Sequence, residues 1–366
     1  MENGTKVFGF QNGKITLPNG TKKEVILVTG GSGYLGLHLI EALAKGFSSQ
    51  YDVAYTYQSH PPSPELHQKL PNVHSFQVDL RTGRGLDIIS STLGHPRVVV
   101  NCGALSVPRM CEQDPEAAMA INIPRSVVEW LLSQDMSIPP LLIHLSSDQV
   151  YEGDKSFYKE EDETKPVNVY GKSKVASENY VKSNYSNYAI LRSSIIYGPQ
   201  PVVPVPKSLP LQWIDRVLST GDGEGEFLVN EFRCPIFVTD VVRVVELLIA
   251  KHADGGMKLV LNLGGPDRLS RSDMADIVAQ VRGYKMELVN RVSTLSMDRG
   301  VVSPVDTSMD VTKLVAVLGI TLTDFATGIA LTFNDKTSVL PKKRETTTQL
   351  TTTDNNNNNN NNITNS

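Results

Sequence analysis

The chain predicts a doubly wound parallel α/β sheet with a smaller α/β lobe toward its C-terminus. Three observations carry this. The apolar run Val25-Ile26-Leu27-Val28 leads straight into the glycine-rich turn Thr29-Gly30-Gly31-Ser32-Gly33-Tyr34-Leu35-Gly36. A short run of that kind suits a strand buried on both faces. Further apolar strand candidates then alternate with segments of helical periodicity, the pattern of repeated β-α units rather than of hairpins. Beyond Tyr197-Gly198-Pro199 the alternation breaks down and a differently built segment follows.

In chain order, apolar residues flank Asn12-Gly13 within residues 7–16, which is a hairpin signal. Residues 1–24 thus read as an N-terminal extension ahead of the fold. Helical periodicity at 35–44 follows the glycine turn. Strand candidates come at 53–57, 75–78, 98–101 and 141–145, and another at 189–193 follows a helix that starts near Tyr170. Pro199, Pro201, Pro204, Pro206 and Pro210 exclude a regular helix or central strand and predict a stiff loop at the mouth of the site. The remainder mixes a strand at 259–262 with helices at 238–251 and 272–281. We expect it to form a smaller lobe, mainly 199–235 and 255–340, interleaved with a main domain over 25–340. From Pro341 the chain turns to Lys342-Lys343-Arg344, threonine clusters and a run from Asn355 to Asn362. Such a tract buries too little apolar surface to offset its ordering entropy, so 341–366 is expected to be a disordered tail. The basic triplet there reads as a targeting patch or simply as solvated chain.

Composition narrows the function classes. The 366 residues are 40% hydrophobic, ample for one large core, and the net charge is -4 with no basic stripe, which argues against nucleic acid. No apolar run is long enough to span a bilayer. The start has neither a signal peptide nor a myristoylation pattern, so a cytoplasmic protein is expected. The sequons at Asn3 and Asn19 carry no weight without a secretory signal. Cys102, Cys111 and Cys234 read as free thiols in a reducing compartment, outside any nucleophile signature. The seven histidines are scattered singly, so no metal site is expected.

Gly30, Gly33 and Gly36 sit where a strand turns into a helix. A tight turn, a close backbone approach and helix-on-strand packing each need a missing Cβ there. The helix N-terminus would face phosphates with free N–H groups. That context makes the turn a dinucleotide-binding loop of Rossmann type, formed by Thr29, Gly30, Gly33, Tyr34, Leu35 and Gly36. After the second strand stand Tyr57-Gln58-Ser59-His60, with no carboxylate to repel a 2′-phosphate. Ser59 and His60 could donate to one, which favours NADP(H) and leaves NAD(H) open. Asp79, ahead of Leu80, reads either as a partner for the adenine amino group or as a strand-end cap.

Tyr170-Gly171-Lys172-Ser173-Lys174 is a YxxxK spacing, and on a helix i and i+4 lie one above the other. An ammonium below a phenol lowers the tyrosine pKa, so Tyr170 could exchange a proton with a carbonyl or alcohol oxygen while hydride moves. Leu145-Ser146-Ser147-Asp148 ends an apolar strand, where open α/β sheets bind ligands, and a serine hydroxyl there could polarise a carbonyl. Asn122 could hold a water that relays a proton from Lys174, or could be a cap residue beside Pro124.

With these residues in hand, the chain resembles the extended short-chain dehydrogenase/reductases over about 25–331. It is most similar to the dTDP-4-dehydrorhamnose reductase-like branch, which includes the regulatory β subunit of methionine adenosyltransferase. Its most specific stretch runs Ser146-Ser147-Asp148-Gln149-Val150-Tyr151-Glu152-Gly153, then Tyr158-Lys159-Glu160-Glu161-Asp162, then Pro166 to Lys174. Ile190-Leu191-Arg192-Ser193, Arg233-Cys234-Pro235-Ile236-Phe237-Val238-Thr239-Asp240 and Met309 to Leu314 also fit.

The resemblance implies Tyr170 as proton donor and Lys174 as its partner and ribose ligand. It implies Ser147 at the carbonyl, with Asp148 beside it holding the sugar or the acid–base network. Cys102, Gly103 and Ala104, after Asn101, would line the cofactor, as would Leu80 and Arg192. Gln149 and Arg233 would face the substrate, Arg233 at its diphosphate. Gln149 replaces the family's usual aromatic, and the proline-rich loop is unlike the bacterial reductases. Two functions compete: reduction of a nucleotide-linked 4-keto-6-deoxy sugar, and a binding subunit that holds NADP(H) beside a methionine adenosyltransferase catalytic subunit. Epimerase or dehydratase chemistry is weaker, since dehydratases would need an Asp-Glu pair where Asp148-Gln149 stands. An oligomer is left open.

Overall fold

The run at 25–28 becomes the switch-point strand of a seven-stranded parallel sheet in the computed structural model. The structure describes residues 10, 11, 14, 15 and 23–333, except 60, 135, 207, 222–224, 252–254 and 294–299. In chain order come β1 (Phe10–Gln11), β2 (Lys14–Ile15), β3 (Glu24–Thr29), α1 (Tyr34–Gly46), β4 (Tyr51–Tyr57), α2 (Pro64–Lys69), β5 (Val73–Gln77), α3 (Leu86–Leu93) and β6 (Pro96–Asn101). Next are α4 (Pro108–Gln113), α5 (Pro115–Asn122), α6 (Arg125–Leu132), β7 (Leu141–Ser147), α7 (Val169–Asn184), β8 (Tyr188–Ser193) and β9 (Ile196–Tyr197). The remainder is α8 (Pro210–Thr220), β10 (Glu226–Leu228), β11 (Phe232–Arg233), β12 (Ile236–Phe237), α9 (Val238–Lys251) and β13 (Lys258–Leu263). It ends with β14 (Leu269–Ser270), α10 (Arg271–Arg282), β15 (Asn290–Val292), α11 (Thr312–Leu318) and α12 (Phe325–Phe333).

The sheet order is β5-β4-β3-β6-β7-β8-β13, every pair parallel. Strand order reverses between β3 and β6, and a crevice opens there at the strands' carboxyl ends. Alternate residues of each strand feed the two faces. Ile26, Val28, Val98, Val100 and Ile143 pack with Leu39, Ile40 and Leu43 of α1 and Val241, Val245 and Leu248 of α9. Val25, Leu27, Val99 and Leu142 pack on the other face with Ile89, Val127, Leu131 and Val181. Each such large apolar side chain contributes about 1.5–3 kcal/mol by its burial.

The expected hairpin is present as β1 paired antiparallel with β2, Phe10 opposite Ile15; its Asn12-Gly13 turn and the tail from 341 lie outside the described residues. The lobe is smaller than expected. The strand at 259–262 is β13, the outermost strand of the main sheet, in register with β8 from Tyr188 to Ser193. Helix α9, which falls between the two stretches expected to form the lobe, packs on the main core. A short apolar run carries no mark of which sheet it joins; a parallel partner is set by the crossover helix that precedes it. The lobe's own core is built from α8, α10 and α12, with Leu211, Ile214, Met274, Val278, Phe325 and Ile329 around Phe227 and Tyr197. Pro210 opens α8, where a missing N–H costs nothing, and the described residues between it and Tyr197 form neither helix nor strand.

Candidate active site

The glycine turn closes on itself. Gly30 takes φ +65, and a Cβ there would lie 2.7 Å from the Gly103 Cα. A Cβ on Gly36 would lie 2.6 Å from the Gly30 carbonyl oxygen. Only glycine fits this cradle. Gly33 is the N-cap of α1 and makes no side-chain cap bond, which leaves the first-turn N–H groups of Tyr34 and Leu35 for a ligand. Behind the turn runs a buried polar chain. Thr29 Oγ1 donates to Asn101 Oδ1, and Asn101 Nδ2 to His144 Nδ1 at 2.9 Å. His144 Nε2 donates to Ser177 Oγ at 2.9 Å, and Ser177 to the Lys174 carbonyl at 2.8 Å. Burial, with Lys174 nearby, holds His144 neutral and depresses its pKa to about 3.

A cleft of about 240 Å³ opens beside the turn. Gly30 and Ser32, Thr56 to Gln58 at the end of β4, Val78 to Arg81 after β5, and Gly103 to Leu105 after β6 line it. Asp79, Leu80, Gly103 and Ala104, named above for the cofactor, are among these lining residues. Cys102 is half-buried, bonded through its N–H to the Thr29 carbonyl. Ser59 is exposed just past the lining residues, and His60 lies outside the described residues. Sequence reasoning missed Arg81, which lines the cleft. An arginine two positions after a strand-end aspartate was the available signal.

The acid–base set comes from two elements, Ser147 at the end of β7 and Tyr170 with Lys174 on α7. Asn168 caps α7 by accepting the Gly171 N–H at 2.8 Å. A Cβ on Gly171 would lie 2.2 Å from the Gln149 carbonyl oxygen, so this glycine lets α7 press on the turn after β7. That contact places the Tyr170 phenol within hydrogen-bond reach of Ser147. Lys174 lies one turn on, its Nζ 6.0 Å from the Tyr170 ring centre and bonded to the Leu145 carbonyl at 2.7 Å. Burial lowers its pKa to about 8.

The tyrosine differs from expectation. Burial raises the Tyr170 pKa above the ordinary phenol range, opposed by Ser147 and assisted by Asp148. Lys174 was expected to lower it, but its ammonium is directed at a backbone carbonyl rather than at the phenol oxygen. A phenol kept protonated is a proton donor, the form that ketone reduction requires.

Arg192 and Arg233 have other partners than those expected, and Asn122, Asp148 and Gln149 are also engaged within the protein. Arg233, placed at a substrate diphosphate, is 2% exposed. Its Nη2 donates to Glu231, Ser303 and the Pro304 carbonyl, and its Nε lies 3.8 Å from Asp148. Arg192, expected among the cofactor ligands, is paired with Glu178 through Nε at 2.9 Å and Nη2 at 2.8 Å, while Nη1 donates to Tyr151 and the Glu160 carbonyl. Both guanidiniums are spent inside the protein, Arg192 on Glu178 fourteen positions away and Arg233 on Glu231 two positions away, with Asp148 close by. Asn122 is engaged by protein partners: Nδ2 donates to the Leu105 carbonyl and to Ser173, and Oδ1 accepts the Leu105 N–H at 2.7 Å. It ties the segment after β6 to α7. Asp148 is buried and accepts from Ser147, Ser194 and Thr307, each at 3.1 Å, so it acts inside the network rather than on a ligand surface. Gln149 accepts from Asn168 at 2.8 Å.

Among the described residues there is no cluster of three or more metal-ligating side chains, and no helix long and apolar enough to cross a membrane.

The chain matches the family model described as RmlD substrate binding domain over residues 24–338. It is 28% identical to a probable low-salt glycan biosynthesis reductase of Haloferax volcanii, over 85% of this chain and 99% of that protein. It is 29% identical to methionine adenosyltransferase 2 subunit beta of Mus musculus, over 83% of this chain and 85% of that one. A dTDP-4-dehydrorhamnose reductase from Bacillus anthracis, solved in complex with NADP, superposes with a TM-score of 0.69 at 21% identity, covering 85% of this chain and 99% of that one. At that identity the superposition speaks for the fold.

Proposed function

From a chain that belongs to the RmlD substrate binding domain family, we propose a nicotinamide-dependent reductase of a nucleotide-linked 4-keto-6-deoxy sugar, with NADP(H) preferred. The observation that carries it is the assembly of Ser147, Tyr170 and Lys174 at the carboxyl end of β7, in the same parallel sheet whose β3 ends in the glycine turn. The cradle fits the cofactor: Gly30, Gly36 and Gly103 leave space that a Cβ would fill, and the N–H groups of Tyr34 and Leu35 are free for a pyrophosphate. When bound, the nicotinamide supplies hydride.

The chain's own residues supply the rest. Ser147, whose hydroxyl donates to Asp148, turns to the substrate carbonyl and polarises it. The Tyr170 phenol gives its proton to the carbonyl oxygen as the bond to carbon forms. The Lys174 ammonium stabilises the phenolate left behind and holds the ribose hydroxyls. Asp148 keeps Ser147 in place from below.

The test is NADPH oxidation with dTDP-4-dehydro-L-rhamnose, comparing wild type with Tyr170→Phe. Loss of turnover by about 10²–10⁴-fold in the variant is expected, the usual worth of a positioned acid. Ketone reduction unchanged in Tyr170→Phe would refute the mechanism.

One observation favours a second reading, a binding subunit of a methionine adenosyltransferase. Arg233 and Asp148 are sealed under residues 303–307 rather than presented to a diphosphate. Tight NADPH binding without turnover, with co-purification of a transferase catalytic subunit, would establish that reading in place of the first.

A further inference from the structure

We propose that Arg81 is the residue by which this chain distinguishes NADP(H) from NAD(H), holding the 2′-phosphate with the free edge of its guanidinium. The inference rests on the dinucleotide reading above and adds the discriminating residue to it.

In a doubly wound sheet the adenosine ribose lies over the carboxyl end of the second strand. Here that is Tyr57-Gln58-Ser59, which offers no charge of either sign. The charge comes from the next strand. The rims after β4 and β5 are stitched together: the Val78 N–H donates to the Tyr57 carbonyl at 2.9 Å, and Gln77 Nε2 to the Gln58 carbonyl at 3.0 Å. The chain then makes a tight turn, closed by the Gly83 N–H on the Asp79 carbonyl at 2.8 Å and anchored by Ser126 on the Leu80 carbonyl. Arg81 stands at the exposed tip of that turn. Of the side chains lining the cleft, Arg81 is the cation and Asp79 the anion.

Asp79 does not cancel Arg81; it aims it. Arg81 Nε donates to Asp79 Oδ1 and Nη2 to Oδ2, both at 3.1 Å. This occupies one edge of the guanidinium fork. Nη1 makes no bond among the described residues, so the Nη1/Nη2 edge faces outward with two donors. That edge matches two oxygens of a phosphate and has no partner in the bare 2′-hydroxyl of NAD(H). A fixed fork gives up less entropy on binding than a free one.

The test is direct binding, by fluorescence or calorimetry, of NADPH and NADH to the full chain, comparing wild type with Arg81→Gln and Arg81→Lys. Arg81 is exposed, so the glutamine variant keeps the fold. The expected result is weaker NADPH binding by about tenfold to a hundredfold in Arg81→Gln, with NADH unchanged. Arg81→Lys should fall between, since it keeps the charge and loses the fork. An equal loss for both dinucleotides would overturn the proposal by placing Arg81 on the shared adenosine, and so would unchanged NADPH binding. If wild type binds NADH more tightly than NADPH, the proposal falls while the dinucleotide reading stands. If wild type binds neither, the dinucleotide reading itself falls.

Discussion

The two halves of the sheet are built on different principles. On the β3-β4-β5 side the site is made of backbone: a glycine turn, a helix N-terminus and an open cleft with one exposed ion pair. On the β7-β8 side it is made of buried charge. Glu178, Arg192, Asp148, Arg233 and Glu231 are each at most 4% exposed and engaged with one another or with hydroxyls. The first half depends on the absence of side chains at a few neighbouring glycines; the second depends on long-range partners all being present. A backbone site can thus be presented by a short motif, whereas a buried ion network exists only once distant segments have met.

The sharpest way to break the second half alone is Glu178→Gln. Arg192 then stays buried without its counter-charge, and a loss of about 3–5 kcal/mol in stability is expected from the urea midpoint. Nicotinamide dinucleotide affinity measured on the folded fraction should hold. The acid limb of stability tests the same pair. Burial pushes the Glu178 pKa up, but Arg192 outweighs it and brings it from 4.5 down to about 2. A depressed carboxylate adds stability above its unfolded pKa and loses it as pH falls. Wild type should therefore weaken between about pH 4.5 and pH 2, and Glu178→Gln should lose that part of the slope. An unaltered acid limb would show that the pair is not what holds this half.

The complementary break is Gly30→Ala. A Cβ at φ +65, 2.7 Å from Gly103, strains the cradle by about 1–3 kcal/mol. Dinucleotide binding should be lost with the urea midpoint moving less than in Glu178→Gln. The reverse ranking would mean that the two halves are not energetically distinct.

The smallest effect sits at their junction. The Lys174 pKa falls from 10.5 to about 8, so its ammonium is lost as pH rises through that value. The kcat/KM for ketone reduction should fall above about pH 8, up to tenfold per unit. A profile flat to about pH 10 would remove the ammonium from the mechanism.

The sequence by itself determined the parallel sheet up to its last strand and the glycine turn, and it pointed to the Ser147/Tyr170/Lys174 set. Each is carried by neighbours in the chain: a Cβ-free turn, a strand period, an i,i+4 helix spacing. The same locality explains the errors. Arg192 and Arg233 look like ligand arginines in their own segments, because nothing nearby announces Glu178 fourteen positions back or the backbone at 303–305. His144 is one scattered histidine in the sequence, yet it links Asn101 on β6 to Ser177 on α7. Nor does a run at 259–262 say that it completes the main sheet beside β8. Only the tertiary structure decided these points, because a buried polar group must be satisfied by whichever partner folding brings to it, and that partner is seldom a sequence neighbour.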